Sequence, residues 1–251
     1  MTKIALVTGA SAGFGKAIVK KLVADGYQVI ASARRLEKLQ SLQAELGSDK
    51  VYPLQMDVSE PKLIDQALGS LPEAWQQIDL LVNNAGLALG LDKAYEADFT
   101  DWMTMINTNI IGLTYLTRQV LPDMVKRNSG MIINLGSTAG TIPYLGANVY
   151  GASKAFVKQF SLNLRADLAG TKIRVTNIEP GLCEGTEFSN VRFKGDDERA
   201  EKLYEGAHAI TPEDIANTVS WVASQPEHVN FNRIEMMPVS QTYGAQPVYR
   251  D

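Results

Sequence analysis

A chain of 251 residues with 21% charged and 45% hydrophobic side chains has the balance of a soluble globular protein and enough material for one large core. Its 24 basic and 28 acidic residues leave it mildly anionic, which argues against a general nucleic-acid binder and against attachment to an anionic membrane. The single cysteine, Cys183, excludes an intramolecular disulfide and a cysteine-based metal cluster, and fits a reducing compartment.

The first apolar run, residues 4–7, is too short for the core of a signal peptide, and no stretch approaches the roughly eighteen apolar residues of a membrane span. A cytoplasmic protein is expected. In chain order, short β-branched or apolar runs predict strands at 4–7, 28–32, 51–55, 79–83, 130–135, 172–178 and 233–239. Segments of helical period between them predict helices at 15–24, 35–46, 62–70, 107–127 and 150–168. Alternation of this kind gives parallel strands joined by right-handed crossovers. The expected fold is therefore α/β, a Rossmann-type doubly wound parallel sheet in a single domain spanning 1–251. One segment, 180–206, opens with Pro-Gly, mixes charges with aromatics and shows no clean period, so it reads as an irregular loop beside a substrate site. The tail, 240–251, reads as frayed or as packed across a subunit boundary.

Directly after the first strand comes "TGASAGFG", in which Gly9, Gly13 and Gly15 are separated by Ala10, Ser11, Ala12 and Phe14. A tight turn that brings backbone against a pyrophosphate leaves no room for a Cβ, and the helix N-terminus that follows offers unpaired N–H groups to an anion. The end of the second strand indicates which dinucleotide. A site for NAD commonly ends that strand with a carboxylate for the ribose 2′-hydroxyl, whereas here Ala33 is followed by Arg34 and Arg35. Guanidinium groups pair bidentately with phosphate, so NADP(H) is favoured.

Asn83, Asn84, Ala85 and Gly86 follow the fourth strand, Ser137 follows the fifth, and Tyr150 and Lys154 share one face of the helix beyond. Alone, the last pair reads as two side chains on a solvated surface; next to the other motifs it reads as chemistry. Oxidising an alcohol needs a base for the hydroxyl proton, and a free tyrosine, with a pKa near ~10, is a poor one at neutral pH. An ammonium at ~4 Å in an effective dielectric near ~20 is worth about 4 kcal/mol, or roughly three pKa units, which is enough to bring a phenol toward neutrality.

In this order, TGxxxGxG at 8–15, NNAG at 83–86, Asn109, Ser137 and Tyr150-x-x-x-Lys154 resemble the short-chain dehydrogenase/reductase family over essentially the whole chain. The resemblance implies a catalytic set of Asn109, Ser137, Tyr150 and Lys154. Lys154 would also bond the nicotinamide ribose, and Asn109 would hold a water that links the lysine to solvent. It further implies cofactor contacts from Asp57, Val58, Asn84, Ala85 and Gly86, and from Pro180, Gly181, Leu182, Cys183, Glu184, Gly185, Thr186, Glu187 and Phe188.

Three longer stretches, "IDLLVNNAGLALG", "NVYGASKAFVKQFSLNLRADL" and "IEPGLCEGTEFSNVRFKGDD", are similar to bacterial NADP-dependent members of the family that act on 3-hydroxy acids. That similarity implies oxidation of the 3-hydroxyl of L-serine, L-allo-threonine and 3-hydroxypropionate, reduction of malonic semialdehyde in reverse, and a homotetramer. Such a substrate carries a carboxylate, and Arg192 and Lys194 are the cations of the irregular segment; Arg192 is the candidate ligand, beside Ser137 and Tyr150. Cys183 and Glu184 depart from the small or apolar residues expected against the nicotinamide. Cys183 reads as a spectator thiol, and a carboxylate at Glu184 would weaken diphosphate binding. His208 and His228 lack metal-ligand spacing, so no metal is expected. Two other readings stay open: a reductase of 3-oxo chains carried on acyl carrier protein, and a dinucleotide-binding regulator without catalysis.

Overall fold

The computed structural model describes residues 2–244; the rest of the tail, 245–251, lies outside the described residues. The elements are β1 (Ile4–Thr8), α1 (Gly13–Ala24), β2 (Gln28–Ala33), α2 (Leu36–Leu46), β3 (Val51–Gln55), α3 (Pro61–Gly69), β4 (Ile78–Asn83), α4 (Phe99–Ile106), a π-helical turn (Asn107–Gly112), α5 (Leu113–Arg127), β5 (Gly130–Leu135), α6 (Asn148–Asp167), β6 (Ile173–Pro180), α7 (Phe188–Arg192), α8 (Asp197–Lys202), α9 (Pro212–Ser224) and β7 (Arg233–Met236). The strands form one parallel sheet in the order β3-β2-β1-β4-β5-β6-β7. The order reverses between β1 and β4, and the carboxyl ends of the strands at such a switch point open into a crevice.

Helices cover both faces, which is why the central strands are continuous apolar runs and not alternating ones. On β1, Ala5 and Val7 face a layer holding Ile18 and Leu22 of α1, Leu39 of α2 and Val219 of α9. Ile4 and Leu6 face the opposite layer, with Ile64 of α3, Leu116 of α5 and Leu164 of α6. All five β1 residues are buried.

The expected strands all form, with bounds displaced by a few residues; the last ends at Met236, short of the expected 239. The helices differ more. The expected helix 107–127 is the second half of a longer run in which α4 and a π-helical turn precede α5. Within α4 only Met105 is buried and Phe99 is 67% exposed, so the apolar pattern that reveals a core-packed helix is missing there. The helix α9 was not among those expected, although it carries a full start signal. Thr211 and Asp214 form a reciprocal capping box, and Pro212 stands at the first position. The segment 180–206, expected to be irregular, holds α7 and α8. Helices of five and six residues are too short to display a period.

Gly9 has φ +67, the left-handed conformation that glycine adopts without cost. A Cβ on Gly15 would lie 2.2 Å from the Gly9 carbonyl oxygen and 2.7 Å from Nδ2 of Asn84. Gly15→Ala is therefore expected to destabilise the fold by about 2 kcal/mol or more, because the contact is with backbone that cannot yield. Urea denaturation reads this directly; a midpoint equal to that of the parent chain would contradict the packing described.

Candidate active site

A cleft of about 700 Å³ runs along the carboxyl ends of the strands. Beneath it, a single buried hydroxyl joins two strand ends. Oγ1 of Thr8, at the end of β1, accepts the backbone N–H groups of Asn84 (3.0 Å) and Ala85 (2.9 Å) and donates to the carbonyl of Val82 (3.3 Å). Nδ2 of Asn84 returns a bond to the Thr8 carbonyl at 2.8 Å. Asn83 points the other way, into the sheet, and donates to Thr117 and Asn134.

Most of the residues singled out in the sequence line this cleft: Gly9, Ser11, Ala12, Gly13, Phe14, Arg34, Arg35, Asp57, Val58, Asn84, Ala85, Gly86, Ser137, Tyr150, Lys154, Pro180, Gly181, Leu182, Cys183, Thr186, Glu187, Phe188 and Arg192. Ala10, Gly15, Glu184, Gly185 and Asn109 do not. Ala10 is fully buried, with its N–H on the Ser32 carbonyl. Glu184 and Gly185 line a separate shallow hollow with Glu201, Tyr204, Thr211, Pro212 and Glu213. The reason is local alternation: a parallel bridge between Cys183 and Ile210 extends the chain there, so Cys183 faces the cleft and Glu184 faces away. The expected penalty of a Glu184 carboxylate on diphosphate binding is thereby removed. Burial pushes the Cys183 thiol up to about 12, which keeps it un-ionised.

At the inner end of the cleft, α6 presents Tyr150 and Lys154, 8% and 7% exposed. Nζ of Lys154 donates to the Leu135 carbonyl at 2.8 Å and lies 5.9 Å from the centroid of the Tyr150 ring. Ser137 caps the short turn after β5; its Oγ accepts the Ala139 N–H at 3.1 Å and reaches the Pro180 carbonyl at 3.4 Å. Asn109, 1% exposed, sits in the π-helical turn, where its amide accepts from Leu87 N–H (2.9 Å) and donates to Leu87 O (2.9 Å) and Ser153 Oγ (3.1 Å). A Cβ on Gly86 would stand 3.3 Å from Oδ1 of Asn109 and 3.4 Å from Nζ of Lys154, so glycine lets these two groups share one wall.

The electrostatics correct the simple expectation for the pair. Burial pushes the Tyr150 phenol above its ordinary value, and the Ser137 hydroxyl and the Arg192 guanidinium only partly offset this. Burial also lowers the Lys154 ammonium to about 8. Both shifts share one cause, removal of the charged form from water.

Arg192, at the end of α7, covers the phenol. It is 9% exposed, its Nε donates to the Gly90 carbonyl at 3.2 Å, and its guanidinium lies 5.4 Å and 5.6 Å from the ring centroids of Tyr144 and Tyr150. Its Nη2 is buried and has no partner among the described residues. Lys194 is turned away and pairs with Asp101 at 2.8 Å. Tyr144, Leu145 and Tyr204 complete this end of the cleft. No sequence motif pointed to them, although Tyr144 stands shortly before Tyr150.

At the outer end, the donor set suits the 2′-phosphate of NADP. The end of β2 carries no carboxylate, since Ala33 is buried there, and Arg34 and Arg35 both reach the cleft wall. Arg35 donates from Nε (3.2 Å) and Nη2 (2.9 Å) to Ser11 Oγ, and pairs with the Glu187 carboxylate at 3.2 and 2.8 Å. Lys38, which sequence reasoning passed over, also reaches Glu187 at 3.2 Å. Its signal was its place in the first turn of α2, three residues beyond Arg35.

Comparison with known proteins agrees with this geometry. Residues 3–197 match the family described as short chain dehydrogenase. The chain belongs to the short-chain dehydrogenase/reductase family. It is 60% identical over 98% of its length to the NADP-dependent 3-hydroxy acid dehydrogenase YdfG of Escherichia coli, covering 99% of that protein. Identity to the serine 3-dehydrogenase of Rhizobium radiobacter is 49%, over the full length of both chains. Among solved structures, the closed form of a serine dehydrogenase complexed with NADP+ superposes with a TM-score of 0.97 at 59% identity, covering 99% of this chain and 100% of that one. As a short-chain dehydrogenase/reductase, this protein is an NADP-dependent oxidoreductase acting on CH–OH groups. No helix among the described residues is long and apolar enough to cross a membrane.

The buried lysine has a measurable consequence for stability. Between its folded value of about 8 and its ordinary 10.5, the unfolded chain holds a proton that the folded chain has released. Stability contributed by Lys154 therefore rises with pH through that window. Above 10 the raised Tyr150 acts in the opposite sense, because the unfolded chain loses the phenol proton first. The melting temperature of the parent chain relative to Lys154→Met should climb from about pH 7 to about pH 9. A flat or falling difference would show that the lysine titrates normally.

Proposed function

We propose that this protein oxidises the 3-hydroxyl of short 3-hydroxy acids, with L-serine, L-allo-threonine and 3-hydroxypropionate as substrates, and reduces malonic semialdehyde in the reverse direction. The observation that carries this reading is the buried, unpartnered Nη2 of Arg192 beside Tyr150. A guanidinium nitrogen without an acceptor is costly in a protein interior, and a substrate carboxylate would satisfy it with a charge-assisted bond. A carboxylate held there by Arg192 lies next to the phenol, as a 3-hydroxy acid requires. The names of the similar proteins, 3-hydroxy acid dehydrogenase and serine 3-dehydrogenase, support the same substrate class.

Bound NADP+ supplies the hydride acceptor. Tyr150 takes the proton of the substrate hydroxyl as its own phenolic proton is passed on, and the transfers run backwards in the reverse reaction. Ser137 Oγ, which lines the cleft with Tyr150, holds the substrate oxygen. Lys154, tuned to about 8, exchanges protons close to neutrality and is suited to pass the phenol's proton onward past Asn109. The guanidinium of Arg192, set over the ring by α7, favours the phenolate. We also read the chain as a cytoplasmic homotetramer; the exposed apolar side chains Phe99, Met103, Ile111 and Phe156 support subunit contact.

Tyr150→Phe should lower turnover by about a thousandfold while the dissociation constant for NADPH stays within about threefold. Comparable turnover in parent and variant at saturating substrate would remove Tyr150 as the acid/base. Arg192→Gln should raise KM for serine and 3-hydroxypropionate by about ten- to a hundredfold and leave KM for a simple secondary alcohol unchanged. Equal KM values for the acids in parent and variant would end the hydroxy acid reading.

A further inference from the structure

The donors suited to an adenosine 2′-phosphate are already engaged. Arg35 closes its fork on the Glu187 carboxylate, Lys38 reaches the same carboxylate, and Ser11 holds the guanidinium from the other side. Glu187 arrives from far along the chain, immediately before α7, and lines the cleft together with Arg34 and Arg35. A carboxylate and a phosphate monoester ask for the same hydrogen-bond donors, and the phosphate carries close to twice the charge.

We propose that Glu187 is an internal competitor for the 2′-phosphate subsite: it occupies Arg35 and Lys38 until NADP(H) takes them, and so weakens NADP(H) binding and favours release of the spent cofactor. Charge counting supports competition over a clasp that merely closes on the ligand. Arg34, Arg35 and Lys38 supply three positive charges; with Glu187 in place one of them is spent before the phosphate arrives, and the phosphate then meets a like charge. NAD(H) has a hydroxyl at that position and leaves the Arg35–Glu187 pair undisturbed. Glu187 thereby narrows the preference for NADP(H) over NAD(H) that the cations create.

Both partners are partly exposed, Arg35 at 40% and Glu187 at 48%, so the effect is modest. The test uses calorimetry on the full chain with 2′,5′-ADP and 5′-ADP, which probe the adenosine half without the reacting end, and fluorescence titration with NADPH and NADH. Glu187→Gln should tighten 2′,5′-ADP and NADPH by about three- to tenfold and change 5′-ADP and NADH by less than about twofold. Unchanged or weaker binding of the phosphorylated pair overturns the proposal and makes Glu187 a neutral neighbour or a clasp. Equal tightening of all four ligands overturns it as well, since it would reflect general charge and not the 2′-phosphate. Each readout is independent of which hydroxy acid is turned over.

Discussion

Everything in this site hangs on the junction between β1 and β4, where the strand order reverses and one buried hydroxyl joins the two strand ends. Thr8 accepts the N–H groups of Asn84 and Ala85, sharing the first with the Val82 carbonyl, and Asn84 completes the clip through its side chain. Buried backbone groups must find partners, so this arrangement lets the chain leave both strands irregularly without exposing the crevice floor to water. The glycine-rich turn follows from the same closeness: with Asn84 drawn against β1, neither Gly9 nor Gly15 has space for a Cβ.

A second constraint acts at the inner end. Tyr150, Lys154 and Arg192 are all buried, and burial penalises the charged forms of the phenol and the ammonium. The phenol is held protonated and the ammonium is loosened, which leaves the pair ready to exchange protons instead of fixed as an ion pair. Arg192 sets a guanidinium against the phenol ring, and it reaches that ring only because α7 lies over the cleft. At the outer end the logic is reversed. Arg35, Lys38 and Glu187 remain partly in water, where a shared ion pair is weak enough to be exchanged for a ligand.

Much of this architecture was legible in the chain. The central strands β1, β4 and β5 stand out because the parallel sheet is covered there on both faces and they read as largely apolar runs. The pairing of Tyr150 with Lys154 on α6 was readable because i and i+4 share a helix face whatever the surroundings. Other elements were hidden for physical reasons: α4 buries too little to show a period, and α7 and α8 are too short to have one. The start of α9 was written plainly in Thr211, Pro212 and Asp214, a local signal that a search for apolar period passes over.

By itself the sequence determined the order of strands and helices, the glycine turn, the missing carboxylate at the end of β2, and the serine, tyrosine and lysine of the cleft, since each depends on contacts within a few residues. Only the tertiary structure decided which cation faces the phenol, sending Arg192 inward and Lys194 to Asp101. It alone turned Glu184 away and brought Glu187 onto Arg35. These outcomes depend on where a helix-bearing segment lands against strands far from it in the chain. Burial, and with it the charge state of every group in the cleft, follows from that packing and not from local sequence.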